Sequence, residues 1–256
     1  MSEWTQSNAC TRSLALARTR GRVSVQGLAE AFEVAPETIR RDLRALDDRG
    51  LLRRVHGGAI PIESVHFESD LAYRSTANVG QKLRIAAASA QQLHGAETVF
   101  IDEGFTPRLI AEQFTERKRL TVVTASLPVA MHLAEYPQIT VLLIGGRLRP
   151  RTLGTVDHWA VKMLHDLAID LAYIGANGIT VEHGLTTPDP AVMAVKQAAI
   201  QRSRRRILIG AHTKFGVRTF CRFAELKDFE LTITGTELPA GVATAIAAGG
   251  TRVLRV

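Results

Sequence analysis

Between Pro36 and Arg44 the chain reads Pro-Glu-Thr-Ile-Arg-Arg-Asp-Leu-Arg, and a second basic pair, Arg53-Arg54, follows. Arginines at this density suit phosphate neutralisation or bidentate pairing with guanine edges in a DNA major groove. A helix over 36–48 would make that possible. Ile39, Leu43 and Leu46 fall at i, i+4 and i+7 and form one apolar stripe, while Thr38, Arg41 and Arg44 project from the opposite side. The bland alternative is a solvated face on which Glu37 and Asp42 pair locally with Arg40, Arg41 and Arg44.

The neighbouring elements favour the DNA reading. Val25 to Phe32 carries Leu28, Ala29 and Phe32 at helical spacing, Glu33-Val34-Ala35 breaks the pattern, and Pro36 suits the first position of the next helix. Gly50 is a stop signal for that helix, and 51–60 reads as a hairpin turning at His56-Gly57-Gly58. A short helix, a tight turn, a basic helix and a basic hairpin, in that order, make a winged helix-turn-helix. Ser24, Pro36, Glu37, Thr38, Arg40, Arg41, Arg44, Arg53, Arg54 and His56 are its expected DNA-contacting residues.

A second chemistry lies further on. Apolar runs at Thr98–Asp102, Leu120–Thr124, Thr140–Ile144, Leu171–Ile174, Arg206–Ile209, Leu231–Thr234 and Arg252–Val256 alternate with helical stretches. That alternation predicts an α/β domain with a mainly parallel sheet covered on both faces. In such folds ligands bind beyond the carboxyl ends of the strands. Here those positions hold Asp102-Glu103-Gly104-Phe105-Thr106, Thr124-Ala125-Ser126, Gly145-Gly146-Arg147, Gly175-Ala176-Asn177-Gly178 and Gly210-Ala211-His212-Thr213-Lys214. Lys214 could meet a phosphate as a point charge, and Gly104 could offer backbone donors at a helix start. Glycine turns and Ser or Thr helix caps are the bland reading of each loop taken alone.

Bulk properties agree. The 256 residues carry a formal net charge of +7, which favours polyanionic partners without requiring them. Residues 1–60 hold ten Arg and no Lys against seven acidic residues. Only Cys10 and Cys221 are present, without metal-ligand spacing, so no metal, cofactor or disulfide framework is expected. No apolar run is long enough to span a membrane and the start lacks a signal-peptide layout, so the expected location is the cytoplasm. The expected organisation is a DNA-binding domain over 1–60, a linker over 61–75, which lacks a sustained period, and an α/β effector-sensing domain over 76–256.

The segments VSVQGLAEAF and ETIRRDLRALDDRGLLRRVHGGA resemble the N-terminal signature of the DeoR family of bacterial transcription regulators. IDEGFT, TVVTAS, LLIGGRLR, DLAYIGANGIT, HGLTT and HTKFG extend the resemblance over nearly the whole chain. It implies a repressor of carbohydrate metabolism genes, at least dimeric and often tetrameric, that binds an operator and is modulated by a sugar, sugar phosphate, polyol or related metabolite. It also implies an effector domain similar to ribose-5-phosphate isomerases, glucosamine-6-phosphate deaminases and coenzyme A transferases. By that resemblance Asp102, Gly104, Thr106, Thr124, Ser126, Gly146, Asn177, Gly178 and Lys214 are effector-site residues, and Glu103, Phe105 and Arg147 join them as members of the same strand-end loops.

Some residues depart from the family pattern. Ala35 stands where a capping serine is usual, a loss of about 1 kcal/mol, and Ser13 and Ala17 stand where larger apolar residues are usual. Glu103 and Phe105 replace small or hydroxyl residues, so a phosphate would be repelled unless Glu103 points away. Ala211 replaces a frequent aspartate, and Thr124-Ala125-Ser126 replaces an asparagine-containing turn. The alternative function is an isomerase, deaminase or coenzyme A transferase carrying a DNA-binding head. It relies on Glu103 as a base or nucleophile, with no second catalytic group placed by spacing and with His132, His158, His165, His183 and His212 scattered.

Overall fold

The structure, a computed structural model, describes residues 6–20, 22–48, 52–61, 71–114 and 119–256. The chain divides into two compact units, 1–68 and 69–256. In the first, α1 (Gln6–Arg20) leads through the short strand β1 (Val23–Ser24) to α2 (Val25–Phe32) and α3 (Pro36–Asp48), and β2 (Leu52–Val55) and β3 (Gly58–Pro61) close the unit. The stop at Gly50 and the hairpin start at Leu51 lie outside the described residues. Ser24 caps α2 by accepting the Gly27 N–H at 2.9 Å. Glu33 then ends α2 in the left-handed conformation, with φ of 55°.

The stripe on α3 is the keel of this unit. Ile39, Leu43 and Leu46 are fully buried with Leu28, Phe32 and Leu52, and each such side chain contributes about 1.5–3 kcal/mol. Ser13 and Ala17 of α1 are buried with them, so the small residues at those positions sit where α1 meets the core. The strands form a three-stranded antiparallel sheet in the order β1-β3-β2. Its two glycines have different tasks. Gly57, with φ of 73°, makes the turn, while Gly58 lies so close to the Val23 carbonyl oxygen that any side chain would overlap it.

The second unit begins with α4 (Leu71–Thr76) and α5 (Val79–Ala90). Next come β4 (Thr98–Ile101), α6 (Phe105–Ala111), β5 (Leu120–Thr124), α7 (Leu127–Leu133) and β6 (Ile139–Leu143). The short strands β7 (Arg147–Leu148) and β8 (Thr155–Val156) precede α8 (His158–His165) and β9 (Ile169–Gly175). The chain continues through β10 (Gly178–Thr180), β11 (Gly184–Thr187), α9 (Pro190–Arg202), β12 (Ser203–Ile209), β13 (Cys221–Ala224), β14 (Leu231–Thr234), α10 (Ala240–Ala248) and β15 (Arg252–Arg255).

All seven apolar runs join one parallel sheet, in the order β15-β14-β12-β9-β4-β5-β6. From β4 the chain builds outward through β5 and β6, then returns to β4 and builds the other way from β9, so the order reverses between β4 and β9. Val99, Ile101, Leu171, Tyr173, Ile207 and Ile209 pack on one face with α5, α6 and α7. Phe100, Ala172, Ile174 and Leu208 pack on the other with α8, α9 and α10. A second, antiparallel sheet in the order β10-β11-β13 was not expected from the sequence. Its strands are three or four residues long, and β10 and β11 are rich in Gly and Thr, so the layer carries little hydrophobic signal. Among the described residues no helix is long and apolar enough to cross a membrane.

The boundaries of the expected linker shift. Pro61 pairs with Leu52 and belongs to the wing, and α4 lies inside the stretch read as linker. Residues 62–70 lie outside the described residues. What orders α4 is invisible to local pattern: the buried Lys82 of α5 donates to the carbonyls of Arg74 and Ala77 at 2.6 Å each. Burial, with the Arg74 guanidinium adding to it, pushes the Lys82 ammonium down to about 8.

Two outcomes are expected. Gly58→Ala should destabilise the first unit by about 1–3 kcal/mol, seen as a lowered first transition in thermal melts of the full chain. For Lys82, the unfolded chain holds more protons than the folded one between pH 8 and about 10.4, so its contribution to stability rises with pH across that window. Wild type should therefore gain about 1–3 kcal/mol relative to Lys82→Met between pH 7 and pH 10 in urea melts; a pH-independent difference would contradict the shift.

Candidate DNA-reading face and effector site

On α3 the structure separates the residues that the sequence grouped. Arg40 pairs with Glu37 at 2.6 Å, both exposed. Arg41 and Arg44 are exposed and make no salt bridge among the described residues. Asp42, the other potential local partner, is buried at 1% exposure, and its Oδ2 has no hydrogen-bond partner among the described residues. Burial pushes its carboxyl up, against the opposing Arg41 charge. The free face of α3 therefore keeps two unpaired cations, and the solvated-pair reading holds for Arg40 alone.

Other contacts expected of this unit sort by geometry. Ser24 commits its oxygen to the α2 cap, leaving only its hydroxyl hydrogen to donate outward. Pro36 opens α3 and Glu37 stands in its first turn, while Thr38 is half-buried there. Adjacent strand residues face opposite sides, so Arg53 and Arg54 cannot act as a pair: Arg54 is exposed and Arg53 half-buried. His56 lies exposed in the wing turn, where its carbonyl accepts from Arg22 at 3.3 Å.

In the second unit the chemistry gathers at the carboxyl ends of β4 and β9, where the strand order reverses. Asp102 is 1% exposed. Its Oδ1 accepts the Glu103 N–H and its Oδ2 the Gly175 N–H, each at 2.9 Å, and it forms a buried ion pair with Lys196 of α9. Lys196 also donates to the Gly175 carbonyl at 3.0 Å and lies 5.6 Å from the Phe223 ring centre. One carboxylate and one ammonium thus tie β4, β9 and α9 together.

Glu103 points away from the open end of the crevice and into the loop between β7 and β8. Its Oε1 takes a hydrogen bond from Arg149 Nη1 at 3.3 Å and its Oε2 one from Thr152 Oγ1 at 2.6 Å. Arg149 pairs as well with Asp189, the cap of α9, at 3.1 Å. Burial pushes the Glu103 carboxyl up and the Asp102 charge adds to it, while Lys196, Thr152 and Arg149 pull it back. Glu103 is therefore an enclosed acid held by Arg149 and Thr152.

The remaining expected residues fall into two groups. Thr124 is buried, donating to the Ile101 carbonyl at 2.7 Å and accepting the Ser126 N–H at 3.0 Å. Ser126 caps α7 by accepting from Val129 at 3.4 Å. Both hydroxyls thus serve the backbone. Gly146 and Arg147 stand exposed on the β7 side, where Arg147 pairs with Asp157 at 2.7 Å. Gly178 is packed against the Val217 carbonyl. Gly104, Phe105, Thr106, Asn177 and Lys214 remain around the strand ends. Gly104, with φ of 123°, opens α6 beside the Arg74 guanidinium, and Phe105, Thr106, Asn177 and Lys214 are half-buried.

Sequence reasoning missed Lys196, Arg149, Thr152, Asp189, Arg74 and Lys82. Lys196 had a signal, since with Val192, Val195 and Ala199 it completes a buried helical stripe in which a cation needs a buried partner. Arg149 and Thr152 had none, because they lie in a loop without period. An open cleft is lined by Gln197, Arg222, Phe223, Lys227 and Asp228, and there Arg222 and Lys227 both pair with Glu225. Among the described residues no cluster of three or more His, Cys, Asp or Glu is placed to hold a metal.

Comparison with known proteins agrees with this architecture. Residues 14–65 match the DeoR-like helix-turn-helix domain and residues 77–236 the DeoR C terminal sensor domain. The chain is 34% identical over 231 residues to the HTH-type transcriptional regulator GlpR of Haloferax volcanii, covering 90% of each. It is 32% identical over 228 residues to the glycerol-3-phosphate regulon repressor of Escherichia coli, covering 89% of this chain and 90% of that one. Among solved structures, ribose 5-phosphate isomerase A of Methanocaldococcus jannaschii overlaps 54% of this chain and 55% of its own, at 13% identity and a TM-score of 0.41. With matches to both family domains and relatives of this identity along nine-tenths of its length, the chain belongs to the DeoR family and is a DNA-binding transcription regulator rather than an enzyme.

Proposed function

We propose that the protein is a repressor whose hold on its operator is modulated by a phosphorylated polyol or sugar bound at the carboxyl ends of β4, β9 and β12. The supporting observation is that both acids that follow β4 are held by cations inside the fold, Asp102 by Lys196 and Glu103 by Arg149, which Asp189 shares. Lys214 would meet the phosphate, aided by the backbone donors that follow Gly104 and by Arg74 beside them, and Asn177 would take hydroxyls. The name of the Escherichia coli relative points to glycerol 3-phosphate as the first compound to test.

In the first unit, Arg41 and Arg44 would read base edges, with Arg54 and the wing turn on the backbone. The domain limits that fit this reading are 1–61 for the head and 71–256 for the sensor. At least a dimer is required, because one head contacts too few base pairs for a specific operator. Leu142, Leu143, Leu148, Trp159 and Met163, all exposed along the open β6 edge and on α8, are the apolar surface available for it. Operator binding places the protein in the cytoplasm.

Two experiments test this. A duplex selected from a random pool by the wild-type protein should lose about 1–3 kcal/mol of specific binding with each of Arg41→Ala and Arg44→Ala, with thermal melts unchanged; unaltered affinity would remove α3 from the recognition role. Glycerol 3-phosphate at about 100 times its Kd should stabilise the protein by about 2.7 kcal/mol and weaken duplex binding, and Lys214→Met should abolish both effects. Stabilisation by glycerol but not by its phosphate would overturn the phosphate assignment.

A further inference from the structure

The 149–154 loop touches the effector loop at one end and the chain leading to the head at the other. Among the described residues, both side-chain hydrogen bonds accepted by the Glu103 carboxylate come from it, through Arg149 and Thr152. Gly154 abuts Glu103 so closely that any side chain there would overlap the carboxylate. On its other side, the Arg151 carbonyl accepts the Leu71 N–H at 3.0 Å. Leu71 opens α4, which the chain enters directly from 62–70. A second tie reaches the same helix: Lys82 donates to the Arg74 carbonyl while lying 5.5 Å from the Phe105 ring centre. On either side of Gly104, Phe105 thus lies beside the lysine that fastens α4, and Glu103 is bonded to the loop whose Arg151 carbonyl does so.

We propose, resting on the reading of 102–105 as the effector loop, that Arg149 is a positioning residue through which this loop controls α4 and the segment carrying the DNA-binding head. Glu103 and Arg149 are almost wholly enclosed, with side chains 7% and 9% exposed. A pair so enclosed cannot stretch gradually, because a carboxylate left unpaired in the interior is strongly disfavoured. The pair therefore stays closed when the effector loop moves. A shift of the 102–105 backbone on ligand binding carries Arg149 and the 149–154 loop, packed against Glu103 at Gly154, along with it. The Arg151 carbonyl then carries Leu71 and the start of α4 with it. A ligand biases this arrangement only by its differential affinity for the two states.

Hydrogen exchange on the full-length protein tests the relay, using the Leu71 amide and the 71–76 peptide as reporters and β4 as the internal reference. Arg149→Met should raise exchange at 71–76 at least tenfold and change affinity for the selected duplex at least fivefold, with β4 protection unaltered. Arg149→Lys should restore most of both. The double variant Glu103→Gln with Arg149→Met removes both charges of the enclosed pair and leaves Asp189 its two backbone N–H donors, so it keeps the fold and should still show the raised exchange. Wild-type exchange at 71–76 in that double variant overturns the proposal. A rise spreading equally to β4 also overturns it, since Arg149 would then only hold the fold together. If wild type selects no duplex, the DNA-binding reading fails by itself, and the exchange measurement still decides the relay.

Discussion

The larger unit depends on two opposite charges buried where its sheet changes direction. Asp102 and Lys196 meet at the carboxyl ends of β4 and β9, away from water. Desolvating such a pair costs several kcal/mol per ion, regained only with close geometry and satisfied lone pairs. Much of the surroundings serves that requirement: β4 and β9 lie parallel and adjacent so that Gly175 can donate to Asp102, and α9 crosses so that Lys196 reaches both. Glu103 repeats the device one residue later with Arg149, Thr152 and Asp189. The crevice can thus hold acids without presenting them to a ligand.

The head follows the opposite rule. Its function needs cations left unpaired, and α3 achieves this by turning the nearest acid inward. Asp42 is buried, and Arg41 and Arg44 face outward without an ion pair among the described residues. A burial cost in the core accompanies the charge presented at the surface. The two units thus handle charge in complementary ways, internal neutrality around the crevice and uncompensated charge on the helix.

Much of this was legible in the sequence. The seven parallel strands were readable because strands buried on both faces become continuous apolar runs, and α3 was readable because its stripe and its arginines fall on opposite sides of a 3.6-residue period. The β10-β11-β13 layer was not, since strands of three or four residues are too short to carry a periodicity that exceeds the turns around them. The partners of Asp102 and Glu103 lie 94 and 46 residues away in sequence and meet only through the fold. Arg53 and Arg54 show a milder failure: composition grouped them, and strand alternation separates them. Thr124 and Ser126 proved to serve the backbone, the bland reading that any hydroxyl near a helix start carries.

That commitment of Thr124 and Ser126 has a consequence for how such regulators diversify. With its hydroxyls locked into the ends of β4 and β5 and into the α7 cap, the β5 side of the crevice is a stiff wall. The opposite wall belongs to the antiparallel layer and the turns around Asn177 and Lys214, which add no strand to the parallel sheet. With the effector bound at the strand ends as proposed, substitutions there reshape ligand preference while the sheet and its buried ion pair stay in place. New specificities can therefore arise on one side of the crevice without the lineage passing through an unfolded intermediate sequence.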